Sequence, residues 1–77
     1  MEIKVIGTGC DKCDRLYENT QEALGNLGME ATVEKVEDLV EIVKLGVMTS
    51  PSLMVDGKLL IRGREAQTRE IEKLLSR

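Results

Sequence analysis

Near its N-terminus this chain changes hydrophobic period once, and Cys10-Asp11-Lys12-Cys13 stands at the change. Glu2 to Ile6 alternates polar and apolar residues, as a half-buried strand does. Gly7-Thr8-Gly9 breaks the alternation. From about Asp11 to Leu27 the residues Cys13, Leu16, Tyr17, Thr20, Leu24 and Leu27 recur at helical intervals, and Gly28 follows as a stop. That spacing puts Cys13 on the buried face of the helix and Cys10 at its exposed start.

The rest of the chain completes the pattern. Met29 to Val36 reads as a second strand, with Ala31 and Val33 alternating with Glu30, Thr32 and Glu34. Leu39, Val40, Ile42 and Val43 mark a short helix from about Asp38 to Leu45, closed by Gly46. Ser52 to Val55 is a third strand, Asp56-Gly57 a hairpin turn, and Lys58 to Arg62 the returning strand. Thr68 to Leu75 reads as a last helix, capped by Thr68, with Ile71, Leu74 and Leu75 facing inward. The order is β-α-β-α-β-β-α. The first two strands are parallel across a right-handed helical crossover, and the last two form an antiparallel hairpin. The expected architecture is α/β, a four-stranded mixed sheet flanked by helices in one domain over residues 1–77.

Composition narrows the function. A chain of 77 residues buries only roughly 60% of the surface its unfolded form exposes, so its stability margin is narrow. With one tyrosine, Tyr17, and neither Phe nor Trp, the core is built from Val, Ile, Leu and Met. The net charge of −3 comes from interspersed acids and bases. The chain offers neither a basic patch nor stacking aromatics for nucleic acid. Met1-Glu2-Ile3-Lys4 lacks the apolar run of a signal peptide, and no stretch reaches membrane-spanning length, so the expectation is a cytoplasmic monomer.

Cys10 and Cys13 are the only cysteines, and histidine is absent. By itself such a pair serves redox exchange, metal binding or a staple. A reducing cytoplasm disfavours the staple, and closing so short a loop stabilises by about 2 kcal/mol at best. Without histidine, two cysteines cannot complete a four-ligand zinc site unless carboxylates or a second chain join them. A copper or zinc chaperone of the heavy-metal-associated kind shares the strand–CxxC–helix start, but it runs β-α-β-β-α-β and ends in a strand.

Gly7-Thr8-Gly9-Cys10-Asp11-Lys12-Cys13, together with Ser50-Pro51 opening a strand before the Asp56-Gly57 hairpin, resembles the thioredoxin superfamily across essentially the whole chain. It is most similar to the small thioredoxin/glutaredoxin-like proteins sometimes labelled redox-active disulfide protein 2. The resemblance implies a thioredoxin fold and a thiol–disulfide oxidoreductase that reduces protein disulfides, with Cys10–Cys13 as its redox-active disulfide and no other cofactor or metal. It implies that Cys10 attacks as a thiolate and that Cys13 resolves the mixed disulfide. It further implies a cis Pro51, with Gly9, Thr49, Ser50 and Pro51 docking an extended partner segment beside Met48. The partners implied are disulfide-containing proteins and an upstream reductase.

Asp11 and Lys12 tune Cys10 in opposite senses, the acid opposing its ionisation and the base supporting it. The helix start also favours the thiolate, so the expected thiol pKa lies below the free value of about 8.5 and above the roughly 3.5 of strong oxidants. The chain departs from better-known relatives at several points. Gly9 stands where thioredoxins carry Trp, and the interior of the first strand offers Lys4 rather than an acid, which leaves water or Lys4 as the proton partner of Cys13. The basic residue ahead of the pair and the late acidic pair that hold glutathione in glutaredoxins are both missing, so glutathione is a less fitting partner than a protein disulfide.

Overall fold

The computed structural model describes residues 1–8 and 11–76. The elements run β1 (Glu2–Ile6), α1 (Asp11–Leu27), β2 (Thr32–Val36), α2 (Leu39–Lys44), β3 (Ser52–Val55), β4 (Lys58–Arg62) and α3 (Thr68–Leu75). The strands form one sheet in the order β2-β1-β3-β4. β1 and β2 pair in parallel from Glu2↔Thr32 to Ile6↔Val36, and β3 runs antiparallel to both β1 and β4. This is the α/β thioredoxin fold expected from the sequence. It ends in a helix, not in the strand that closes a heavy-metal-associated domain.

Alternation along the strands divides the core in two. Ile3 and Val5 of β1 join Leu53, Ile61, Leu16, Ala23, Leu24, Ile71 and Leu75, so α1 and α3 cover one face of the sheet. Ile6, Val36 and Met54 face the other way and meet Ile42 and Val47 from α2 and the loop behind it. Tyr17 packs at the edge of the larger core, with Lys35 Nζ 5.1 Å above its ring. Thr20 completes the buried stripe of α1 because its Oγ1 donates to the Leu16 carbonyl at 2.7 Å, leaving no unsatisfied hydroxyl.

Turn chemistry sets the boundaries. Asp56 and Gly57 both have positive φ (49° and 84°), the type I′ signature of a two-residue hairpin. The Asp56 N–H donates to the Glu2 carbonyl and its Oδ1 accepts from Glu2 N–H, each at 2.8 Å, which ties the hairpin to β1. Asp38 caps α2 by accepting from Val40 N–H at 2.9 Å. At the other end Gly46, at φ 74°, donates to Val43 O while Val47 donates to Ile42 O. That pair of bonds is a Schellman closure, and it seats Val47 against Ile42.

Two expected boundaries shift. β2 begins at Thr32, not Met29, because β1 begins at Glu2 and offers no ladder partner to residues 29–31. Met29 and Ala31 pack on the larger core without strand pairing. Thr68 lies inside α3, and Gln67 is the cap, in extended conformation, with its carbonyl accepting from Ile71 N–H at 3.1 Å. Among the described residues, no helix is long and apolar enough to cross a membrane.

Candidate active site

β1 delivers the chain to the site. Gly7 N–H donates to Val36 O at 2.9 Å, adding one rung to the β1–β2 ladder and fixing the backbone where the strand ends. α1 then returns across the sheet and carries Cys13, which is 3% exposed. The two meet closely: a Cβ built on Gly7 would lie 2.3 Å from Cys13 Sγ and 3.5 Å from Ser50 Cβ. Cys13, Gly7 and Ser50 therefore share one spot at the end of the sheet. Cys10 and Gly9, read from the sequence as attacking thiol and docking residue, lie outside the described residues.

The loop that enters β3 is held from several sides. The Ser50–Pro51 bond is cis and Pro51 is buried. Pro51 O accepts from Arg64 N–H at 3.1 Å. Ser52, fully buried at the opening of β3, donates through Oγ to Thr49 O at 2.7 Å. On the far side Gly63 abuts Thr49, since a Cβ there would sit 3.3 Å from Thr49 Cβ. Thr49 and Ser50 remain exposed above this base. The backbone beside Pro51 is thus rigidly mounted and open to an approaching chain.

Charges around the start of α1 are largely paired. Asp11 and Asp14 occupy its first turn, where acids suit the positive helix end. Asp14 accepts from Lys35 Nζ at 2.8 Å, and this bond, above all, raises the Lys35 pKa. Arg15 Nε lies 3.3 Å from Glu65 Oε2, tying α1 to the segment behind β4. Asp11 and Lys12 are both exposed on the first turn. Lys4, considered as a proton partner for Cys13, belongs elsewhere. It alternates with Ile3 and Val5, so it points to the sheet face away from α1, and it pairs with Glu2 at 3.9 Å.

An apolar groove of about 310 Å³ opens beside this loop. Leu39, Ile42, Val43 and Val47 line it together with Met48, Thr49, Ser50 and Thr8, and through Ser50 it borders the spot shared by Gly7 and Cys13. Its rim is unusually apolar for a surface: Leu39 is 66% exposed, Val43 74% and Met48 95%. Met54, by contrast, is core. A second concavity, about 490 Å³, lies at the far end of β1 among Glu2, Thr32, Glu34 and Asp56, remote from Cys13.

Sequence reasoning placed Cys13, Thr49, Ser50 and Pro51, and the structure brings Cys13 and Ser50 together. It passed over three supports of the site. In the sequence Gly7 only breaks the strand alternation, yet in the fold it is the wall behind the Cys13 sulfur. Ser52 and Gly63 carry no local signal, because their roles arise from contacts made only after the sheet assembles.

Comparison with known proteins agrees with this geometry. A family model described as a thioredoxin domain matches residues 1–76. The chain is similar to a protein named thioredoxin from Methanothermobacter thermautotrophicus, 43% identical over 76 residues that cover 99% of each chain. It is also similar to a protein named thioredoxin from Methanocaldococcus jannaschii, 36% identical over 73 residues, which cover 95% of this chain and 84% of the relative.

Proposed function

The chain belongs to the thioredoxin family, and from that premise we propose that it reduces protein disulfides through Cys10 and Cys13. The Cys10 thiolate attacks a partner disulfide, forming one bond to the partner and releasing one partner thiolate. Cys13 then attacks the Cys10 sulfur, which closes Cys10–Cys13 and expels the second partner thiolate. Two electrons pass to the partner, and an upstream reductase in the cytoplasm restores the dithiol. Asp11 and Lys12 set the acidity of Cys10 between them.

The observation that carries this reading is that the Cys13 sulfur and Ser50, on the loop entering β3, both lie against Gly7 at the end of β1. A shielded sulfur beside an exposed, fixed backbone suits a partner laid along Thr49, Ser50 and Gly9. The neighbouring groove receives apolar side chains that flank the partner's cysteine. Protein disulfides fit this surface better than glutathione does, and the protein works as a monomer.

A redox titration combined with trapping tests the reading. The pair is expected to titrate near about −270 mV, as a reductant does, rather than near about −120 mV, as an oxidant does. Cys13→Ser is expected to hold a disulfide-bearing peptide as a stable mixed disulfide on Cys10. A variant that captures none, from a wild-type protein whose thiols do not cycle, would overturn the assignment.

A further inference from the structure

We infer that Gly7 is a positioning residue for the resolving thiol: the absence of a side chain at this point seats the Cys13 sulfur where it can close on Cys10. The inference rests on the roles proposed above for the two cysteines.

The case begins with distance. A Cβ at Gly7 would stand 2.3 Å from Cys13 Sγ and 3.4 Å from Cys13 Cβ. Non-bonded carbon contacts settle at about 3.5–4.0 Å, and sulfur is larger than carbon. One of the two partners must therefore give way if a methyl is added. Gly7 resists, because its N–H is the last rung of the β1–β2 ladder at 2.9 Å from Val36 O. The helix backbone resists as well, since Leu16, Thr20, Ala23 and Leu24 bury its inner face against the sheet. Ser50 closes the remaining side, 3.5 Å from the same point.

What yields is the sulfur itself, by turning about the Cα–Cβ bond of Cys13. Rotamer choice inside a helix is restricted, so this movement takes it to a different well rather than a slightly shifted one. The backbone of Gly7 is not itself the reason for glycine: its φ lies outside the left-handed region. Steric room for Cys13 is the requirement that the structure places on this position.

The chemical consequence falls on one step. In the attack on the partner, Cys10 forms the bond and Cys13 is a bystander. In resolution, the Cys13 thiolate must meet the Cys10 sulfur in line with the bond it breaks. A misplacement of about 1 Å at such a step costs on the order of a hundredfold in rate. Gly7→Ala therefore prolongs the mixed disulfide while sparing its formation.

A limiting amount of an aromatic bis(nitrobenzoate) disulfide separates the two steps, since each cleavage releases one coloured thiolate. Attack by Cys10 gives the first, and closure of Cys10–Cys13 gives the second. For Gly7→Ala we expect the first release within about twofold of wild type and the second slowed at least about tenfold. Gly25→Ala, a methyl added where nothing beyond the surrounding helix backbone lies within 4 Å, is the control and leaves both phases unchanged. Loss of fold alone would not change the ratio of the phases in this way.

A Gly7→Ala protein whose second release keeps the wild-type rate overturns the inference and leaves the proposed function standing. A wild-type protein that releases no thiolate at all overturns the proposed function, and the inference with it. Should Gly7→Ala not fold, wild-type protein labelled at glycine carries the test. The Gly7 Cα resonance is expected to shift between dithiol and disulfide forms, and an unmoved resonance rejects the contact.

Discussion

Gly7 and Gly25 are the same residue in opposite surroundings. At Gly7 an added carbon collides with Cys13 Sγ, whereas at Gly25, inside α1, it meets nothing within 4 Å beyond the helix's own backbone. Glycine in a helix interior costs roughly 0.5–1 kcal/mol relative to alanine through the freedom it loses on folding. Gly25→Ala is therefore expected to raise stability by that amount and the melting temperature by roughly 2–8 °C, as thermal denaturation followed by circular dichroism will read. A rise that fails to appear would mean that Gly25 has a backbone role not evident in its open surroundings. The contrast also shows what a sequence conceals at this scale. Cys13 was legible because a helical stripe runs through it. The wall behind its sulfur was not, because that contact spans strand and helix and leaves no periodic trace.

At the scale of elements, α2 is the one most dependent on its ends. It has only 6 residues and buries only Ile42, so propensity contributes little and the caps decide whether it forms. Asp38→Ala removes the bond to Val40 N–H and is expected to cost about 0.5–2 kcal/mol, measured by urea denaturation. A wild-type midpoint in that variant would count against the cap. α3 offers a pH test. Arg64 donates two hydrogen bonds to Glu70 across the first turn, and they hold the Glu70 carboxyl below its ordinary value of 4.5. A lowered carboxylate pKa stabilises the fold above 4.5, and the benefit disappears as pH falls through the lowered value. Both groups are substantially solvated, so Glu70→Gln is expected to cost no more than about 0.5 kcal/mol at neutral pH. The gap should close in acid, and a gap that widens there would reverse the assignment. Element positions were legible because apolar spacing and turn residues agreed. The start of β2 and the cap of α3 were not, since a ladder partner settles the first and local backbone geometry the second.

At the scale of the whole molecule, β1 and β3 occupy the middle of the sheet and separate two unequal cores. The larger depends on the C-terminal helix: Ile71 is fully buried and Leu75 is 7% exposed, both against α1 and the sheet. Burial of each such side chain contributes about 1.5–3 kcal/mol, while a domain of this size retains only about 4–12 kcal/mol in all. Truncation after Glu65 is accordingly expected to abolish cooperative unfolding and bind a hydrophobic dye, and a truncated chain that still melts sharply would refute the dependence. Topology was legible from element order alone, because a parallel crossover and a tight hairpin leave few arrangements. The unequal division of the core was less so: Leu39, Val40 and Val43 read as helix formers, and only the folded sheet shows that they are left outside. On the proposed reading this division separates two tasks. The groove that meets a partner stands on the smaller core, whereas the helix bearing the resolving sulfur is seated on the larger. On that reading, substitutions at Leu39, Val43 or Met48 act on the partner that is recognised, and Gly7→Ala acts on the closure of Cys10–Cys13. Recognition and reaction, on that reading, rest on separate foundations, so a change made to the one leaves the other standing.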